Sequence, residues 1–209
     1  MSGVTWLHLS DWHQKGADTN RDLQVKKLLD DIRQRRQRIA SCLDRVDFVV
    51  FSGDVAFSGT AKEYEAAEEC LLKPLREALG LSADRLFFVP GNHDLERNRI
   101  PVSLQDPLID EQNADEWLRE KLGIIRTPFT EYARFVERIN PKQKSADYAS
   151  SLSIDVEGKI ITLLGLNSAW MCARNRTAAG EIDDKTHLVV GLSNRAGIEP
   201  VNRVLMGAT

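Results

Sequence analysis

Three short strings combine carboxylate, imidazole and carboxamide side chains at spacings that suit a metal ion. They are Asp11-Trp12-His13, Gly53-Asp54 and Gly91-Asn92-His93-Asp94. In an extended segment, residues two apart project to the same side, so Asp11 and His13 can reach one ion. The glycine before Asp54 lets the backbone turn sharply, and the glycine before Asn92 is read the same way. Carboxylate, imidazole and carboxamide together suit a borderline-to-hard divalent cation such as Mn²⁺, Fe²⁺, Zn²⁺ or Mg²⁺. One carboxylate can bridge two such ions about 3.5–4 Å apart, an arrangement used for in-line displacement at phosphorus. Taken singly, each string also reads as ordinary turn chemistry, with Asp and Asn accepting backbone hydrogen bonds.

What sets the strings apart is where they fall. Each follows an apolar run that reads as a strand, over 4–9, 47–52 and 85–89, the first two as buried strands. The segment 23–43 carries apolar residues at helical spacing, and its Gln34-Arg35-Arg36-Gln37-Arg38 run reads as a solvated helix face. A second helix is predicted over 60–80, with Thr60 and Glu63 as a capping box, Pro74 as a kink and Gly80 as its end. Strand–helix–strand–helix–strand implies a parallel sheet. In such sheets ligands bind beyond the carboxyl ends of the strands, so three loops become one place. Further on, short helices are expected over 115–122 and 128–139. A hairpin is expected over 149–156 and 159–166, turning at Glu157-Gly158. His8, inside the first strand, reads as a packed or edge histidine, and Trp12 and Phe57 read as core residues first and as pocket walls second.

The chain has 209 residues, 42% apolar and 28% charged, with a net charge of −3. That fits one soluble α/β domain over 1–209 and gives no global pull towards nucleic acid. The three cysteines, Cys42, Cys70 and Cys172, form no close pair and read as reduced thiols of a cytoplasmic protein. No run is apolar enough for a membrane span, and the first residues do not read as a signal peptide.

In order, D-x-H, G-D and G-N-H-D after successive strands resemble the calcineurin-like metallophosphoesterase superfamily. "HLSDWH", "VVFSGDVAFSG", "EYEAA", "FFVPGNHDLER" and "LLGLNSAW" are similar to a bacterial branch of it. The resemblance covers 4–97 well and 148–191 loosely. It implies a layered sheet sandwich flanked by helices, and a phosphodiesterase, phosphatase or nuclease using two divalent ions, Mn²⁺ first among them. Carried over, Asp11 and His13 bind the first metal, Asp54 bridges both, and Asn92 binds the second. A hydroxide on the metal is then the nucleophile. His93 faces the phosphate or leaving-group oxygen as acid or donor, and Asp94 orients its ring from the far nitrogen.

The resemblance also implies later histidines, including a Gly-His-x-His segment. This sequence has four histidines in all, His8, His13, His93 and His187, and His187 reads as no ligand. The motif-bearing half is 1–97, and the tail 192–209 departs from the family's text. The expectation is a fold incomplete at its C-terminus, with exposed apolar surface, a homo-oligomer or a missing C-terminal segment as partner. The substrate is expected to be a phosphoester, a nucleotide or nucleic-acid end among the options. The alternative is a catalytically impaired member acting as a binding or regulatory module.

Overall fold

The structure is a computed structural model that describes residues 3–16, 19–100, 120, 122–145 and 149–172. Its first sheet holds β1 (Trp6–Leu9), β2 (Phe48–Ser52) and β3 (Leu86–Val89), all parallel and in that order. β2 and β3 are apolar runs of five and four residues, short enough to be strands and buried almost throughout. β2 sends Val49 and Phe51 to one face and Phe48 and Val50 to the other, as a period of two requires.

The first of these faces packs on helices. Thr19–Arg33 forms α1, and the short Arg35–Arg38 forms α2. The predicted 60–80 helix is built as α3 (Ala61–Ala67), a π-turn over Glu68–Leu72 and α4 (Lys73–Leu79). Pro74 sits in the first turn of α4, where its missing N–H costs nothing, so the break falls just before it. The Thr60 N–H donates to Glu63 Oε2 at 3.1 Å, as a capping box demands, and Gly80 ends α4 in a left-handed conformation. After α5 (Leu122–Arg126), α6 (Thr130–Ile139) buries Tyr132, Phe135, Val136 and Ile139 in the same core.

The other face of the sheet meets a second, antiparallel sheet of β4 (Lys144–Ser145), β5 (Ala149–Val156) and β6 (Lys159–Leu166). Phe48, Val50, Phe87 and Val89 interlock there with Leu152, Ile154 and Val156. Each such side chain contributes about 1.5–3 kcal/mol of burial. The β5–β6 turn puts Glu157 and Gly158 both at positive φ, the tight hairpin geometry their position implies. Gly165 is required for a different reason: a Cβ there would run into the Val89 side chain, the last residue of β3. The layered sheet sandwich flanked by helices is therefore present.

Two local expectations need correction. The long helix over 23–43 breaks after Arg33, because the Arg-rich run offers no apolar face to bury. Arg35 instead closes the segment by donating to the carbonyls of Ile32, Leu43 and Asp44. Arg33, Arg36 and Arg38 pair with Asp30, Asp44 and Asp31, so much of the positive charge here is matched by nearby carboxylates. β1 is half exposed rather than buried. It pairs only with β2 among the described residues, leaving Trp6 47% exposed and stacked on Phe48. His8 is an edge histidine on the same side, 2.6 Å from Ser52 Oγ. No described helix is long and apolar enough to cross a membrane. The expected 115–122 helix falls largely outside the described residues. His187 and the tail 192–209 lie wholly outside them.

Candidate metal centre

The parallel order brings the loops after β1, β2 and β3 side by side, and a backbone ladder fixes them. Asp11 N donates to the Gly53 carbonyl (3.1 Å), His13 N to Asp54 (2.8 Å) and Gln14 N to Val55 (3.0 Å). The first two loops therefore run on as a paired ribbon beyond the sheet. Four described residues other than glycine have positive φ, and three of them are Asp11 (57°), His13 (50°) and Asp54 (57°). A left-handed backbone costs an L-residue roughly 1–2 kcal/mol. Asp and His tolerate it better than most, and such strain concentrates where it serves a site.

The strain aims three side chains at one point. His13 Nε2 lies 3.7 Å from Asp11 Oδ1 and 3.8 Å from Asp54 Oδ2. Those distances are too long for hydrogen bonds. They fall inside the span of about 4.2 Å available to two atoms that each sit about 2.1 Å from a shared cation. Burial, then neighbouring His93, lowers the His13 pKa, against partial opposition from Asp54 and Asp11. The ring is therefore neutral at pH 7 and keeps a lone pair. Its Nδ1 is buried with no hydrogen-bond partner. The Nε2 lone pair, facing two carboxylates, is chemically unfinished, and a divalent cation there would satisfy it. The donor set fits such an ion.

His93 belongs to the same cluster. One ligand-capable atom from each of His13, Asp54 and His93 lies within 4.8 Å of the others. The His93 ring stands edge-on to His13, with centroids 4.5 Å apart. Its backbone N–H donates to Asp54 Oδ1 at 2.9 Å, steering that carboxylate. Its Nδ1 is 2.8 Å from the Phe57 carbonyl oxygen. A carbonyl has no proton to give, so Nδ1 carries the hydrogen and Nε2 is the nitrogen left for chemistry.

That contact corrects the expected role of Asp94. Its carboxylate does not hold the His93 ring, because it is fully committed behind the site. Oδ2 accepts from the N–H groups of Asp54 and Gly91, both at 2.9 Å. Oδ1 accepts from Ala56 N (3.1 Å) and from the Tyr64 hydroxyl (3.0 Å). Burial pushes the Asp94 carboxyl up to about 6 against the pull of the Gly91 and Ala56 donors, with Asp54 adding to the rise. The ionised, acceptor-only form still dominates at pH 7. Asp94 thus pins the Asp54 loop to the Asn92 loop, which is a structural task.

Gly91 is likewise needed for a reason other than the one expected. Its φ of −105° is open to any residue. What it supplies is room, since a Cβ would land on the Asp54 carboxylate. The same Cβ meets the Asp54 backbone nitrogen, so Gly91→Ala should shift the Asp54 loop together with its carboxylate and lower Mn²⁺ affinity at least tenfold, which calorimetric titration would measure. Gly53, at φ 109°, is a true turn glycine.

Asn92 opens the short 3-10 turn Asn92–Asp94 directly after Gly91. Of the two readings of Phe57, core and pocket wall, the second holds, its ring lying 5.1 Å from that of His93. Trp12 does pack against the core. Asn167 lies beyond β6 and lines a separate cavity of about 420 Å³ with Pro90, Phe129 and Tyr132; none of the cluster residues lines it.

Comparison with known proteins agrees with this geometry. The family model for calcineurin-like phosphoesterases matches residues 4–183. A curated relative, the uncharacterized metallophosphoesterase-like protein YydB of Bacillus subtilis (strain 168), is 30% identical over 115 residues. The match covers 55% of this chain and 22% of that protein.

Proposed function

This chain belongs to the calcineurin-like phosphoesterase family, and from that premise we propose that it is a metal-dependent hydrolase of phosphoesters, diesters ahead of monoesters. The observation that carries this is the convergence of Asp11 and Asp54 on the neutral His13 from strained backbone positions. In this reading Asp11, His13 and Asp54 hold one cation, and Asp54 with Asn92 offers part of a second position. Mn²⁺ is the first choice, with Fe²⁺, Zn²⁺ and Mg²⁺ compatible with the same donors. A divalent cation there polarises a phosphoryl oxygen and acidifies water near neutral pH.

The chain's own groups do the rest. The Phe57 carbonyl keeps the His93 proton on Nδ1, so Nε2 faces the cluster. Once protonated, Nε2 gives its hydrogen to the departing ester oxygen. Asp94 keeps the loops of Asp54, Ala56 and Gly91 at fixed separation through its four accepted bonds. The free thiols Cys70 and Cys172 suit a reducing compartment, and a cytoplasmic location is proposed with the activity.

A second reading is a module that binds phosphoesters without turnover. Among the described residues one group of ligand-capable side chains gathers, that of His13, Asp54 and His93, which favours it in one respect. Hydrolysis of a chromogenic bis-aryl phosphate separates the two. Enzyme activity should appear with Mn²⁺, vanish with chelator and vanish in Asp54→Asn. Release of product indifferent to chelation and to that substitution would refute the hydrolase reading.

A further inference from the structure

We propose that Lys15 is a phosphate-binding residue, its ammonium pairing with a non-bridging oxygen of the substrate's phosphate beside His93. The proposal rests on the phosphoesterase reading and assigns it a residue outside the three motifs. Lys15 stands two residues after His13 on a loop that is held firmly. Gln14 bridges Ala56, and the Phe57 N–H donates to the Gln14 carbonyl at 3.2 Å. The buried Gln14 amide accepts from Trp12 Nε1 at 2.6 Å and donates to the Gly16 carbonyl, tying the loop across its own turn.

The exposed Lys15 side chain ends over Phe57, its Nζ 3.7 Å from the ring centroid. Phe57 is the residue whose carbonyl holds His93 Nδ1 and whose ring adjoins the His93 ring. Among the described residues this ammonium has no carboxylate partner. Arg21, the other cation of this rim, donates to the Trp12 carbonyl and lies over the Trp12 ring, 4.9 Å from its centroid. An exposed ammonium resting on the half-buried Phe57 ring is weakly held, and a phosphate oxygen offers it a charge-assisted hydrogen bond instead. The site also needs positive charge on the protein side. Asp11 and Asp54 face it with carboxylates that repel an anionic substrate. Lys15 supplies a cation at the wall that His93 and Phe57 form, complementary to a phosphoester whose ionised oxygens are not all taken up by the metal position.

The test is calorimetric titration of inorganic phosphate into the Mn²⁺-loaded protein, comparing wild type, Lys15→Gln and Lys15→Arg. Lys15→Gln should weaken phosphate binding roughly tenfold, and Lys15→Arg should retain most of it. Mn²⁺ affinity should be the same in all three. With the chromogenic diester, Lys15→Gln should raise KM and leave kcat within a few-fold. Unchanged phosphate affinity in Lys15→Gln, or no phosphate binding by any of the three, overturns the proposal. A protein that binds phosphate through Lys15 yet hydrolyses nothing removes the enzyme reading and keeps this one. Hydrolysis indifferent to Lys15 does the reverse.

Discussion

Asp54→Asn is expected to lower diester hydrolysis about a thousandfold or more and to abolish stabilisation of the fold by Mn²⁺. The substitution is close to isosteric. Asn tolerates the left-handed backbone that position 54 adopts, and its side-chain oxygen can still accept the His93 N–H bonded to Asp54 Oδ1 at 2.9 Å. What disappears is the negative charge 3.8 Å from His13 Nε2. With wild type at a hundred times its Kd for Mn²⁺, binding adds about 2.7 kcal/mol to stability. Thermal melts should show that increment in wild type and lose it in Asp54→Asn, while melts in chelator coincide. His93→Ala provides the contrast. Turnover should fall about 100–10,000-fold while Mn²⁺ content stays near that of wild type, because the ring is placed to move a proton. If His93→Ala loses the metal and His13→Ala keeps it, the two histidines have exchanged roles.

Asp94→Ala is expected to be the most destabilising single change near the site, by about 4 kcal/mol. It leaves the N–H groups of Asp54 and Ala56 without their acceptor in a buried place, and that of part-buried Gly91 as well. The Tyr64 hydroxyl loses its 3.0 Å bond to the carboxylate and keeps only the longer one, 3.3 Å, to the backbone carbonyl of residue 94. For a chain of this size the melting temperature should fall roughly 8–16 °C. Asp30→Ala, which removes an exposed partner of Arg33, is the control and should cost under about 1 kcal/mol. Urea unfolding of the three proteins checks this. An Asp94→Ala midpoint indistinguishable from wild type would mean the loops are held by something else.

The strands and the ligand-bearing loops were legible because the signal is local. Phe48–Ser52 and Leu86–Val89 are uninterrupted apolar runs, and a glycine with donor side chains follows each of them. The hairpin turn at Glu157-Gly158 was equally local. What escaped depends on backbone atoms and on distant approach. The His93 ring is held by the carbonyl of Phe57, and a carbonyl has no sequence signature. Asp94 was expected to orient the His93 ring, yet three of its four donors come from thirty to forty positions away and hold it behind the site. The left-handed backbone at Asp11, His13 and Asp54 is compatible with those residue types without being demanded by them. Gly91 read as a turn residue, and only its contact with Asp54 shows that space is what it provides. β1 was taken as buried because an apolar run carries no information about whether both of its edges are paired.

The most direct measurement of the central claim is an anomalous difference map at the manganese edge from crystals grown with Mn²⁺. The strongest peak should lie about 2.0–2.4 Å from a carboxylate oxygen of Asp11, from His13 Nε2 and from Asp54 Oδ2. A map with no peak among these three groups, or with the same peak in crystals of Asp54→Asn, would contradict it.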